Sequence, residues 1–185
     1  MDSSFEIDVG IIHNDDKGGG RCSIPIVDAD VNSPTCTVKF KNSMVYIPEV
    51  EGEYLCLGRA IVTCIAKKGN RSSYKNLIDP RRVNGAHPNS HRSKAIQLYK
   101  DVKVSTHCPT HISQLYKFEE FLKIQIIVIS GDMGNTVIYK GHANRENKIF
   151  LYLKNEHFHS IVNVNGFFVK RKLCSFCLDV YESRK

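Results

Sequence analysis

No stretch of the chain approaches the roughly 18 consecutive apolar residues that a membrane-crossing helix requires, so neither a transmembrane helix nor a membrane partner is expected. The first residues, Met1-Asp-Ser-Ser-Phe-Glu6, lack the basic start and apolar run of a secretory signal. The seven cysteines lack the even count and regular spacing of a disulfide framework, and a chain of 185 residues is too large to depend on such staples. Reduced thiols and an intracellular setting, cytoplasmic or nuclear, are therefore expected. There is no internal repeat. No polymerase or exonuclease carboxylate motif is present either, so DNA synthesis by these residues alone is not expected. What is present, 42% hydrophobic residues in a chain of this length, suits one globular domain with a true core.

The net charge of +7 is unevenly placed. Residues 1–55 hold four Lys/Arg against ten Asp/Glu, whereas residues 67–103 hold ten against two. A basic block of this kind suits phosphates or an acidic partner surface, with Arg81, Arg82, Arg92 and Lys94 as the expected DNA contacts. A solvated loop and helix face explains the same residues without a ligand. No aromatic platform interleaves with them, which argues against a single-strand groove.

Residues 1–53 read as an acidic arm, flexible around Lys17-Gly-Gly-Gly-Arg21, with one or two strands such as Cys36–Asn42. From Leu57 the apolar spacing becomes helical, and Lys67-Lys68-Gly69-Asn70 is a stop signal. Residues 70–90 read as a basic loop. Asn89-Ser90 is placed to cap a second helix reaching Val102, and Thr110 a third, with Ile112, Leu115, Phe118 and Leu122 inward. Ile124–Ser130 is short and rich in β-branched residues, as a buried central strand is. Strands are expected at Thr136–Lys140, Lys148–Leu153 and Phe158–Val164, and Asn165-Gly166 is a hairpin signal leading into Phe167-Phe168-Val169. Helices first and strands later imply an α+β fold.

Two points in this layout carry chemistry. Cys56 immediately precedes the first turn of the first helix, where unpaired N–H groups and the helix dipole favour a thiolate. His157 stands at the start of a strand, and alternation puts His157 and His159 on one face. A cysteine at a helix start opposite a histidine on a strand is the constellation of a thiol protease. By themselves, one Cys and one His are more often core residues than a dyad.

The string Glu53-Tyr-Leu-Cys56-Leu-Gly-Arg-Ala-Ile61 resembles the Asp-Gly-Asn-Cys-Leu-Phe-Arg-Ala signature of OTU-type cysteine proteases. Asn155-Glu-His157-Phe-His159-Ser-Ile161 resembles that family's His-Tyr-x-x-Val/Ile strand. Over about residues 54–181 the chain is also similar to OTU-like regions at the front of protein-primed family B DNA polymerases of Maverick/Polinton-type mobile elements. Shared features there are Lys117-Phe-Glu-Glu-Phe-Leu122 and a Cys-x-x-Cys soon after the histidine. The resemblance implies an OTU/papain-like α+β domain over residues 54–170, three helices on a small mixed or antiparallel sheet. It implies Cys56 as nucleophile, His157 as base, and His159 in the third place, where the family keeps Asp or Asn. Tyr54 and Leu55 replace the Gly and Asn that help shape the oxyanion pocket.

Cys174 and Cys177 form a Cys-x-x-Cys, half of a tetrahedral Zn2+ site. The resemblance reads residues 171–185 as the beginning of a zinc knuckle cut short; two reduced surface thiols are the plain alternative. Cys108, between His107 and His111, reads as part of a loop before a helix. Three functions follow as expectations: a docking module of a DNA-replicating element that meets a replication protein or nucleic acid through residues 67–103, an active protease of ubiquitin-like proteins, or a relic without activity.

Overall fold

The computed structural model describes residues 43–78, 90–141, 144–168, 171–174 and 180–182. The expected strand at Cys36–Asn42, the glycine-rich break, Arg81, Arg82 and Cys177 lie outside them. The fold is α+β, as expected. Five strands form one mixed sheet in the order β1-β5-β4-β2-β3, with β1 Met44–Val45, β2 Gln125–Ser130, β3 Thr136–Tyr139, β4 Lys148–Lys154 and β5 His157–Ile161. Strands β2 and β4 run parallel, in register from Gln125↔Lys148 to Ser130↔Leu153, and the other pairings are antiparallel.

β2 is buried along its whole length because both faces are covered. Ile126 and Val128 meet the main core with Ile149, Leu151 and Phe158; Ile129 on the other face packs with Tyr152, Ile161 and Phe167. Each such side chain taken from water contributes about 1.5–3 kcal/mol. β4 returns into β5 through Asn155 and Glu156, both at positive φ (50° and 61°), the geometry whose twist matches a two-residue hairpin.

The helices cover the Phe158 face. Helix α1, Cys56–Gly69, buries Leu57, Ala60, Ile61 and Cys64, and Lys67 and Lys68 sit at its negative end. Gly58 within it carries a purpose: a Cβ there would lie 2.5 Å from the Tyr99 ring, so its absence lets α3, His91–Val102, approach α1 closely. Ser90 caps α3, its hydroxyl accepting from the Ser93 N–H at 3.1 Å, as its position suggested.

Four expectations are corrected. Residues 71–78 are not loop but helix α2, Arg71–Ile78: Asn70 both ends α1 and caps α2, its Oδ1 accepting from the Ser72 N–H at 2.7 Å. Leu77 is α2's buried anchor, and one apolar residue leaves no periodicity to read. The third helix is a 3-10 turn, Ile112–Gln114, followed by α4, Leu115–Leu122. Its cap is the His111 ring, accepting from Ser113 N–H at 3.3 Å, while Thr110 is spent on the Tyr99 hydroxyl at 2.8 Å. β5 ends at Ile161 because the Val162 and Asn163 N–H groups both turn to the Ser43 carbonyl, at 2.8 and 3.2 Å. Finally, Asn165-Gly166 forms no hairpin; Asn163 caps α5, Val164–Phe167, by accepting from Gly166 N–H at 3.1 Å.

A separate two-stranded sheet pairs β6, Arg171–Leu173, with β7, Val180–Glu182. Residues 43–55 belong to the main body: Met44, Ile47 and Leu55 are buried in its two cores. Among the described residues no helix is long and apolar enough to cross a membrane.

Candidate active site

Cys56 is the first residue of α1, and the preceding Leu55 offers no side-chain cap. The amides at this helix start are therefore left for other partners. The backbone N–H groups of Phe158, Leu57 and Cys56 itself act on the sulfur and favour the thiolate. Burial acts more strongly in the opposite direction, with Glu49 adding to it, and pushes the thiol above its ordinary value. The expectation of a ready thiolate is corrected on this point. The helix start favours negative charge, but desolvation outweighs it, so Cys56 rests as a neutral thiol.

The contacts along α1 show how it meets β5. Ser160 Oγ donates to the Ala60 carbonyl at 2.9 Å, and Cys64 Sγ reaches the Ile161 carbonyl at 3.9 Å. Cys56, two turns earlier in the helix than Cys64, consequently arrives at the Phe158 end of the strand. Phe158 and Ser160 face the helix, so alternation turns His157 and His159 to the opposite side of the sheet. Cys56 meets the strand at its end, through the Phe158 backbone.

The two histidines share a face, as expected, with ring centroids 4.9 Å apart. Both are held by the backbone of one residue, Ile47. His157 Nε2 lies 2.9 Å from the Ile47 carbonyl, which can only accept, so Nε2 carries the proton and Nδ1 is the basic nitrogen. The Ile47 N–H donates to His159 Nδ1 at 3.1 Å, so His159 is protonated on Nε2 only. Burial, then the charges of His157 and Lys154, push His159 down to about 3. The edge of the Tyr46 ring and the face of Tyr152 enclose it.

In front of Cys56, Glu53 fastens the loop to two helices. One carboxylate oxygen accepts from Arg59 Nη2 at 2.7 Å and the other from Arg92 Nε. Burial pushes the Glu53 carboxyl up, but the two guanidinium groups more than offset this and hold it below the usual range. Arg59 is only 1% exposed, which explains physically why an acid precedes and an arginine follows the cysteine. Tyr99 adds a second tie by donating to the Tyr54 carbonyl at 3.2 Å. Of the four residues expected to touch DNA, Arg92 thus has its guanidinium on Glu53, and Lys94 lies two residues further along the same helix, on a different face.

His91 is a structural histidine. Its Nε2 donates to the Arg59 carbonyl at 2.8 Å, beside the Thr63 hydroxyl at 2.9 Å, and burial together with the Arg59 charge pushes it down to about 4. His91 and His159 stay neutral when folded but take up protons when unfolded, near 6.5. The unfolded chain thus binds more protons below that pH, and stability must fall as pH falls from about 6.5 toward the folded values. Each histidine is expected to cost on the order of 2 kcal/mol between pH 7 and pH 5. In His91→Gln the amide N–H stands in for Nε2–H and does not titrate. Urea unfolding at the two pH values should show a smaller loss for this variant than for the wild type; equal losses would exclude His91 as a source.

Cys174 follows β6, and Cys177 is outside the described residues. Among the described residues no group of three or more His, Cys, Asp or Glu is disposed to hold a metal ion, the His107-Cys108-His111 loop included. Sequence reasoning missed Ile47 and the Phe158 N–H, because a backbone amide in a functional place has no residue signature. A solved structure, that of the viral OTU domain protease from Farallon virus, is similar over 67% of this chain and 86% of that one, at 12% identity and a TM-score of 0.30. No family model matches the chain, and no curated protein matches it.

Proposed function

We propose that the domain is a thiol hydrolase of the OTU type, cleaving amide bonds at the C-terminal tail of a ubiquitin-like protein, with Cys56 as nucleophile and His157 as general base. One observation carries this reading: the Ile47 carbonyl takes up His157 Nε2 and so reserves Nδ1 as the proton acceptor, on the residue next to the N–H that faces the Cys56 sulfur. A histidine kept only for packing gains nothing from having its tautomer chosen beside a thiol at a helix start.

The chemistry starts from a neutral thiol. His157 is the first residue of β5 and Cys56 meets the strand at that end, so substrate binding has to bring the His157 ring around the strand end to the sulfur. As the sulfur–carbon bond forms, the thiol proton then passes to His157 Nδ1, and the N–H groups of Cys56 and Leu57 meet the developing oxyanion. The imidazolium then gives that proton to the leaving amine as the carbon–nitrogen bond breaks. Water, deprotonated by His157, attacks the thioester. The sulfur–carbon bond breaks, the acid leaves, and the proton returns to sulfur.

A ubiquitin-like protein bearing a C-terminal electrophile should label Cys56, and His157→Ala should slow that labelling about 100-fold or more. Labelling at another cysteine, or labelling indifferent to His157, would sink the proposal. The docking role expected from the charge map would rest on Arg92, whose side chain is tied to Glu53 yet 43% exposed, and on Lys94, while Arg81 and Arg82 lie outside the described residues.

A further inference from the structure

Ile47 is held from three directions. Its side chain is buried in the main core, its N–H is received by His159 Nδ1 at 3.1 Å, and its carbonyl receives His157 Nε2 at 2.9 Å. His159 in turn has little freedom. It is 3% exposed, the Tyr46 ring meets it edge-on at 5.4 Å between centroids, and Tyr152 stacks on it at 6.4 Å. The order of dependence is clear from these contacts. The enclosed ring receives the N–H and the core takes the side chain, so the Ile47 Cα is held from two sides; its carbonyl, in the next peptide plane, is set by ψ alone and lies at the half-exposed His157.

We propose that His159 is a positioning residue that acts through the backbone of Ile47. By accepting the Ile47 N–H it holds that residue in place, so that its carbonyl, in the following peptide unit, orients His157 and selects its Nε2–H tautomer. This rests on the reading of Cys56 and His157 as a reacting pair. A main-chain carbonyl stands in the third place of the site, and the side chain two residues after His157 serves it indirectly. A carbonyl orients an imidazole but does not stabilise an imidazolium as a carboxylate does. The arrangement therefore suits a Cys56 that stays a thiol until substrate binds, and His159, itself uncharged, adds no repulsion when His157 takes a proton.

Imidazole 15N spectra of the wild-type protein should show both His157 and His159 as Nε2–H tautomers, a measurement that needs neither substrate nor mutation. His159→Asn places Oδ1 where Nδ1 was, so it should keep the His157 tautomer and label Cys56 within about threefold of the wild-type rate. His159→Leu offers no acceptor; His157 should then populate both tautomers and labelling should fall roughly tenfold or more. A wild-type His159 protonated on Nδ1, or a folded His159→Leu protein with unchanged tautomer and rate, would overturn the positioning role. Where His159→Leu does not fold, the wild-type spectrum and the Asn variant still decide. Nε2–H tautomers that depend on His159, in a protein whose Cys56 never labels, support the clamp and reject the hydrolase.

Discussion

A Cys56→Ser variant is expected to lose turnover of a ubiquitin-like C-terminal amide by at least about three orders of magnitude, with its thermal midpoint nearly unchanged. The hydroxyl is a far poorer nucleophile than a thiol at neutral pH, and His157 cannot make up the difference. Stability should hold because the exchange removes no methylene and keeps a polar atom beside the Phe158, Leu57 and Cys56 N–H groups. His157→Ala should be nearly as damaging. The double variant should be no worse than the more severe single one, since nucleophile and base act as a unit. Steady-state hydrolysis of all three variants reads this directly. Additive losses, or turnover that survives Cys56→Ser, would mean that the chemistry lies elsewhere.

The second large effect is on stability. Arg59→Ala is expected to destabilise the fold by roughly 3–5 kcal/mol, the range found when one partner of a buried ion pair is removed. Arg59 is almost wholly enclosed, and its guanidinium bonds Glu53 at 2.7 Å. Truncation removes that bond, opens a void between α1 and α3, and leaves Glu53 to Arg92 alone, whose side chain is 43% exposed. The same change loosens the loop that leads into Cys56, so thiol labelling should fall along with stability. Chemical denaturation gives the magnitude, and a loss below about 1 kcal/mol would show that Arg92 and water replace the pair. Arg59→Met, which fills the void but carries no charge, should recover part of the loss, because an apolar side chain of similar volume avoids the desolvation cost.

Much of the frame is legible in the sequence. The apolar spacing from Leu57 to Cys64 marked α1, and the Lys67-Lys68-Gly69-Asn70 stop marked its end. Ser90 announced α3, and Ile126-Ile-Val-Ile129 announced the central strand. Each is a local signal: a side chain either repeats at the period of its element or binds the backbone within three residues of itself. The failures come where two elements competed for one residue. Asn70 was read only as a stop although it also starts α2, and Thr110 looked like a cap but had a stronger partner in Tyr99, eleven residues back. Asn165-Gly166 has the composition of a hairpin. Asn163, two residues earlier, captures the Gly166 N–H and turns the chain into a helix first.

The candidate site divides in the same way. The sequence by itself determined the cast: a cysteine opening a helix, an acid and an arginine around it, and two histidines alternating onto one face of a strand. Those relations are short-range, and residue identity carries them. Only the tertiary structure decided the roles. Burial outweighs the helix start and keeps Cys56 neutral, because desolvation depends on everything packed around the sulfur and not on its neighbours in the chain. Arg92 belongs to Glu53, 39 residues away, so a residue counted with a basic patch became part of the site's frame. Above all, the group that orients His157 is the carbonyl of a residue 110 positions distant. Every residue has such a carbonyl, so nothing in the identity of Ile47 marks it; its place is set by β1 pairing with β5 and by the hydrogen bond from its own N–H to His159.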